Sequence, residues 1–460
     1  MFTGVLYKFQ REAVRKMLDR RRLMVAMVMG SGKTPTTLAA CEDLLECGDV
    51  TTGIVLCPAS LKYQWAAQIE NFTTSSYLVI DGTPKERKQQ YAAASSGEIP
   101  YVIMNYEQVR NDWDTVKNLP RGFIVGDEIT AIKSFTAKRS KKVKRFHAPY
   151  IFGLTGKPIE NRAEELFSIM QWIDPTVLGR WEMFDRAFIV RNPWGGVVRY
   201  RNIPTLRDVM EPAWIRLSRD DIADQLPDVV SSVIPVRLDK PSRDLYNTIR
   251  EDLLNAIGEA TQIMGTFDLF AYYHGEDHPA VSKARGKVMA RFQALRSVTA
   301  APELLQISAD IFEKSEGKNG SEYAMQLRDN GNLNVKSHPK LDALMERIDT
   351  VVESGEKVVV FSQYVQFIKL LSKKLKHKHV VFHGGMNAKD KEVARMQFRN
   401  DPDTVVFVSS DSGGYGVDLP QASVLINYDL PWSAGAADQR NARIDRMSTE
   451  HEKIYIEDVI

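Results

Sequence analysis

Leu23-Met24-Val25-Ala26-Met27-Val28 runs through Met29 into Gly30-Ser31-Gly32-Lys33-Thr34, and a helical stretch, Thr36 to Cys47, follows. The first run is apolar at every position, as a strand buried on both faces requires. Glycines behind such a strand let the backbone curl so that its N–H groups point at phosphate oxygens, and the following helix adds its dipole. Lys33 would then reach the β- and γ-phosphates of a nucleotide, and the Thr34 hydroxyl can take Mg²⁺. Met27 stands where the strict phosphate-loop pattern has Gly. Taken alone, the segment therefore leaves a ligand-free Gly-rich turn as the competing reading.

Further out, the same strand type recurs. Ile54-Val55-Leu56-Cys57, Tyr77-Leu78-Val79-Ile80, Tyr101-Val102-Ile103-Met104, Phe123-Ile124-Val125 and Ile151-Phe152-Gly153-Leu154 are separated by helical stretches such as Leu61 to Phe72. Alternation of this kind predicts a parallel sheet with crossover helices. Val358-Val359-Val360-Phe361, His379-Val380-Val381-Phe382, Val405-Val406-Phe407-Val408 and Val424-Leu425-Ile426-Asn427 repeat the pattern. Two α/β halves thus flank a different middle. That middle, Pro241 to Leu327, is helical in composition, and Lys314 to Ser337, rich in Gly, Asn, Ser and Lys, reads as a loop or linker. Asn192-Pro193-Trp194-Gly195-Gly196 reads as a hairpin turn.

Composition narrows the classes. Among 460 residues, 43% are hydrophobic and 26% charged, an ordinary globular balance. Lys plus Arg (61) against Asp plus Glu (59) gives a net charge of +2, so nucleic acid could be held only by local patches, not by bulk charge. No apolar run reaches the length of a membrane helix, and no secretory signal opens the chain. Cys41, Cys47 and Cys57 form no CxxC pair, which suits a reducing, cytosol-type interior.

Phe123-Ile124-Val125-Gly126-Asp127-Glu128 is an apolar strand ending in two carboxylates. A lone Asp-Glu there is usually a solvated edge. Downstream of a phosphate loop, Asp127 can hold the Mg²⁺ shell and Glu128 can deprotonate the attacking water. Near the far end, Asp438-Gln439-Arg440-Asn441-Ala442-Arg443-Ile444-Asp445-Arg446 places Arg443 and Arg446 at i, i+3, on one face if helical. Such spacing ordinarily marks a charged surface helix. The functional reading is that the two arginines close on the nucleotide from the second half, an effect worth roughly 10³–10⁵ in rate. Lys138 to Arg145 carries six cations in eight residues, as readily a solvated helix face as a DNA contact. His274-Gly275-Glu276-Asp277-His278 lacks the third ligand and the helical spacing of a zinc site, and that reading is rejected.

These segments together resemble the Swi/Snf-type ATPases, the chromatin-remodeller branch of helicase superfamily two. Leu6-Tyr7-Lys8-Phe9-Gln10 is similar to the Q motif, Ala26 to Thr34 to motif I, and Val55 to Leu61 with Gln64-Trp65 to motif Ia. Asn105-Tyr106-Glu107 resembles motif Ib, Asp127 to Thr130 motif II, and Leu154 to Asn161 motif III. Lys357 to Tyr364 resembles motif IV, Ser409 to Leu419 motif V, and Tyr428 to Trp432 with Gln439, Arg443 and Arg446 motif VI. The chain departs from the pattern at Met27-Val28, Thr130, Lys157 and Asp418.

The resemblance implies two RecA-like parallel-sheet lobes with a helical insertion between them. Residues 1–235 would form the N-terminal lobe with motifs Q to III, 236–335 the insertion and linker, and 336–460 the C-terminal lobe with motifs IV to VI. It implies ATP and Mg²⁺ as cofactors. Gln10, Gly30, Ser31, Gly32, Lys33, Thr34, Gly416 and Asp418 would bind nucleotide, with Thr34 and Asp127 at the metal. Glu128, Lys33, Gln439, Arg443 and Arg446 would carry the chemistry, and Pro58, Ser60, Asn105, Ser362, Gln363, Ser410 and Trp432 would contact DNA.

The implied function is an ATP-dependent double-stranded DNA translocase that remodels or displaces DNA-bound partners. It would be a monomeric motor working away from membranes, with a targeting protein as a further partner. Its compartment would be the cytoplasm of a bacterial or virus-infected cell, or a nucleus. A strand-separating helicase and an ATP-gated DNA-binding module are the rival readings. A P-loop kinase fits less well, having no need of a second lobe ending in paired arginines.

Overall fold

A computed structural model describes residues 1–156, 162–266, 279–335, 337–411, 417–431 and 433–460. In chain order the first strands are β1 (Arg22–Met27), β2 (Gly53–Cys57), β3 (Tyr77–Val79), β4 (Tyr101–Asn105), β5 (Phe123–Gly126) and β6 (Tyr150–Thr155). The hairpin β7 (Ile189–Arg191) and β8 (Val197–Tyr200) follows, turning at Asn192 to Gly196 as the sequence predicts, and then β9 (Trp214–Leu217). All but the hairpin form one parallel sheet in the order β3-β4-β2-β5-β6-β1-β9.

Six further strands build the second sheet: β10 (Asp228–Ile234), β11 (Val358–Phe361), β12 (His379–Phe382), β13 (Val406–Ser409), β14 (Val424–Asn427) and β15 (Lys453–Val459). Their order is β10-β15-β14-β11-β13-β12, again parallel throughout.

Continuous apolar runs work here because alternate side chains feed two different cores. Met24 and Ala26 enter one cluster with Ile54, Ile124, Ile151 and Trp172, while Leu23, Val25 and Met27 enter another with Leu38, Trp65 and Phe152. The second lobe repeats the device, with Val358 and Val360 on one face and Val359 and Phe361 on the other.

Two expectations are corrected. The N-terminal lobe does not extend to residue 235: β10 pairs with β15 from Asp228↔Lys453 to Ile234↔Val459 and so belongs to the second sheet. It covers that sheet's edge with mostly exposed side chains, and therefore carries none of the apolar continuity that marks the central strands. The segment from Lys314 to Ser337 is not all linker either. A helix, Glu322–Asp329, starts at Ser321, whose hydroxyl accepts from the Ala324 N–H, and it buries Tyr323, Ala324 and Leu327. The rest of the middle, among the described residues, is mainly helical as expected: Lys240–Thr266, Pro279–Ala300 and Glu303–Lys314.

No helix among the described residues is long and apolar enough to cross a membrane. Cys41, Cys47 and Cys57 are free thiols. The His274–His278 segment lies outside the described residues.

Candidate nucleotide site between the lobes

The loop after β1 turns on Gly30 and Gly32, at φ +80° and +76°, a region that side chains disfavour. Space demands glycine as well. A Cβ at Gly32 would lie 2.3 Å from Gln10 Nε2, and one at Gly30 would lie 2.6 Å from the Asp445 carbonyl oxygen. The helix Lys33–Glu46 starts immediately behind, with Gly32 at its N-cap.

Gln10 is buried on the helix Lys8–Arg20 and braces this loop. Its side-chain oxygen accepts from the Tyr7 N–H at 2.9 Å, and its Nε2 donates to the Ser31 carbonyl at 3.1 Å. The Ser31 hydroxyl donates to the Val28 carbonyl at 2.6 Å. Lys33 Nζ donates to the carbonyls of Met27 and Val28, at 3.0 and 3.2 Å. Burial pushes its pKa below the ordinary lysine value, while Glu128 and Asp127 oppose that shift.

β5 delivers Asp127 and Glu128 to the same floor. Trp65 Nε1 donates to Asp127 Oδ2 at 2.8 Å, the Glu128 N–H donates to Oδ1 at 2.9 Å, and the Tyr106 hydroxyl donates to the Asp127 carbonyl at 2.7 Å. Burial first, and the neighbouring Glu128 second, lift the Asp127 carboxyl to about 6. Glu128 sits at φ 48°, ψ 57°, a left-handed conformation uncommon outside glycine and found preferentially at functional sites.

From the second lobe, Asp418, Arg443 and Arg446 face these groups across a cavity of about 620 Å³, which Gln10, Gly30, Gly32, Lys33, Thr34, Asp127 and Glu128 line on the other side. The helix Ala434–Asn441 ends before either arginine, so the expectation that they share a helix face is corrected. They lie in the turns after it, 443 donating Nη1 to the Val417 carbonyl at 3.4 Å and 446 pairing Nη1 with Asp418 at 2.5 Å. Asp418, where the related pattern has Asn, thus restrains Arg446. The lobes touch here directly: Met447 N donates to Gly30 O at 3.4 Å, and Arg219 Nη1 pairs with Asp445 at 2.6 Å.

The donor set fits a magnesium nucleotide. The glycines open a curled loop beside a helix N-terminus, an arrangement that binds phosphate. The Asp127 carboxylate, raised by burial first and by Glu128 second, and the Thr34 hydroxyl both line the cavity, and such oxygen donors suit a hard divalent cation. Trp65 orients that carboxylate, a role unassigned from the sequence, where the residue is simply part of motif Ia. Trp65→Phe keeps an aromatic ring, though a smaller one, and removes the N–H; the Mg²⁺ concentration for half-maximal ATPase should rise roughly tenfold or more, as a magnesium titration would show.

Other expected site residues scatter. Gln439 does not line the cavity. Pro58, Ser60 and Asn105 gather at the neighbouring C-terminal ends of β2 and β4, where Cys57 and Asn105 are paired. Asn105 also caps the following helix by accepting from the Gln108 N–H. Ser362 and Ser410 are both buried, and the Ser362 hydroxyl donates to Asp429 at 2.5 Å. Gln363 is half-buried beside them. Gly416, Trp432 and motif III residues 157–161 lie outside the described residues.

In the cationic run, Arg139 pairs with Glu107 at 2.8 Å and Lys144 donates to Ser168 at 2.6 Å. Lys142 and Arg145 lie over the Trp113 ring at 5.1 and 5.5 Å. Much of its charge is already partnered.

Two parallel-sheet lobes enclosing a phosphate loop, an acidic strand end and opposing arginines define a bilobal P-loop nucleotide site. Residues 9–299 match the SNF2-related domain and residues 339–448 the helicase conserved C-terminal domain. The chain belongs to the SNF2-related family, the Swi/Snf-type branch of helicase superfamily two.

An uncharacterized ATP-dependent helicase of Mycoplasma genitalium is 23% identical over 96% of this chain and 39% of its own length. DNA repair and recombination protein RAD54 of Saccharomyces cerevisiae is 25% identical over 92% of this chain and 49% of its own length. The chain therefore spans less than half of either relative. The solved Sulfolobus solfataricus SWI2/SNF2 ATPase core in complex with dsDNA is similar at 22% identity, covering 100% of this chain and 88% of that one, with a TM-score of 0.47.

Proposed function

We propose that this chain hydrolyses ATP between its lobes and uses the closure to move along duplex DNA, displacing or remodelling what is bound there. The observation that carries the reading is the shared cleft: Lys33, Asp127 and Glu128 from one sheet face Arg443 and Arg446 from the other. A binding module would not need chemistry divided in this way.

Lys33, the loop N–H groups and the helix N-terminus would hold the phosphates, and Gln10 stands beside them to read the base. Thr34 and Asp127 would hold Mg²⁺, which when bound neutralises charge on the β- and γ-phosphate oxygens. Glu128 takes a proton from the attacking water. Arg443 and Arg446 place positive charge where the transferred phosphoryl develops negative charge, and they do so only when the lobes are closed. Opening after hydrolysis withdraws them.

DNA would lie along strand C-terminal ends, with Pro58, Ser60 and Asn105 on one lobe and Gln363 on the other. Uncharged contacts suit tracking, because each phosphate must be released in every cycle. The reading names duplex DNA as partner, a monomer as the working unit and a targeting protein as a further partner.

The test is ATPase activity with single-stranded, duplex and branched DNA and with RNA, across a salt series. Duplex should stimulate turnover, and its apparent affinity should fall steeply with salt as counterions compete for the phosphates. Equal rates with and without duplex would remove the DNA-motor reading. Displacement of a third strand without release of single strands would favour translocation over unwinding.

A further inference from the structure

The second sheet presents the C-terminal ends of β14, β11 and β13 side by side, and one guanidinium ties all three. Arg440, on the helix Ala434–Asn441, is only 2% exposed. Its Nε and Nη2 donate to the two oxygens of Asp411, just past β13, at 2.5 and 3.0 Å. Nη1 donates to Asn427 Oδ1, at the end of β14, at 3.2 Å and to the Asp429 carbonyl at 2.5 Å. Nη2 also reaches the Asp429 carboxylate at 3.2 Å. Asp429 in turn accepts from the Ser362 hydroxyl at 2.5 Å and the Gln363 N–H at 3.0 Å, both just past β11.

These bonds use all five N–H donors that a guanidinium has. Such burial is not an efficient way to stabilise a fold, since desolvating one cation and its carboxylates consumes much of the Coulombic gain. What the cluster joins is more informative. The Arg440 carbonyl accepts from the Arg443 N–H at 3.0 Å, and the Arg443 carbonyl accepts from the Leu419 N–H at 3.0 Å, next to the Asp418 that holds Arg446. Only Asn441 and Ala442 therefore lie between Arg440 and Arg443, the nearer cation of the nucleotide cleft. Within the platform, the Gln363 side-chain nitrogen is buried with no acceptor among the described residues.

We propose that Arg440 is a positioning residue that transmits DNA contact at the strand-end platform around Gln363 to Arg443 and Arg446, with Asp411 as its tunable partner. The proposal rests on the DNA-motor reading. A phosphate oxygen taken up at the platform shifts Ser362, Gln363 and Asp429, and the guanidinium that bridges them carries the shift into the arginine turn.

Asp411 is the residue to change. Its side chain is 34% exposed, and Asp429 still compensates Arg440 when Asp411 is neutralised. In the full chain, Asp411→Asn should leave DNA-free ATP turnover within about twofold of wild type and cut stimulation by duplex DNA roughly tenfold. The loss should fall on kcat rather than on KM for ATP. Asp411→Glu should restore most of the stimulation. Arg440→Lys, which keeps the charge but loses the fork, should be impaired like Asp411→Asn. A merely structural role would lower DNA-free and DNA-stimulated turnover together, and that result overturns the proposal. So does full stimulation in Asp411→Asn while the wild type responds to DNA. A wild type that ignores DNA would instead bring down the motor reading, and this coupling with it.

Discussion

Glu128→Gln should bind ATP as the wild type does and turn it over roughly 10²–10⁴ times more slowly, the contribution of a positioned general base. The substitution is nearly isosteric and isolates the chemistry from the structure. Glu128 occupies a left-handed backbone conformation directly behind Asp127, and its N–H donates to the Asp127 carboxylate. Gln keeps that N–H and faces the same backbone cost. Only the proton acceptor is lost. Nucleotide titration by fluorescence, followed by single-turnover phosphate release, separates the two quantities. Release within about threefold of the wild-type rate would take the base role away from Glu128, because general-base contributions of that size are not seen.

Arg446→Ala is the second large effect. The variant should lose roughly 10³–10⁵ in kcat if the second lobe supplies the phosphoryl-stabilising charge, with a much smaller change in KM for ATP. Arg446 is the cleaner target of the two arginines. Arg443 is 4% exposed and sits inside the turn, so its removal would also disturb packing. Arg446 makes one ion pair, with Asp418, and donates Nε to the Ala442 carbonyl at 2.7 Å. Removing it leaves Asp418 facing the phosphates, which raises KM for ATP. A paired Arg446→Ala, Asp418→Asn variant removes that repulsion and should show the kcat loss alone in steady-state assays. An unchanged kcat would mean that the lobes do not share the reaction.

The central strands were legible because burial on both faces leaves no polar position to interrupt an apolar run, as in Gly53–Cys57 and Val358–Phe361. The edges were not. β15 alternates exposed and buried side chains, and β10 is exposed along most of its length, so neither carries that signature. The chemistry of the site was legible where spacing encodes it, at Gly30 to Thr34 and at Asp127-Glu128.

It was not legible where a side chain's role depends on distant partners. Trp65 meets Asp127 only after 62 residues of chain have folded. Arg440 looks like one more surface charge until Asp411 and Asp429 close around it. Ser362 and Ser410, expected as phosphate contacts because they are small polar residues at strand ends, are both buried, which spacing alone does not reveal.

The strand Asp228–Ile234 has a consequence for dividing the molecule. It departs from the sheet that ends in β9 and lies along β15, pairing seven residues with seven. Cutting the chain at residue 336 would therefore not release a self-contained half. It would bare a row of unpaired amides and carbonyls on β15, a ready template for another chain to join. A fragment that starts upstream of Asp228 and keeps the intervening helices would carry its own seal.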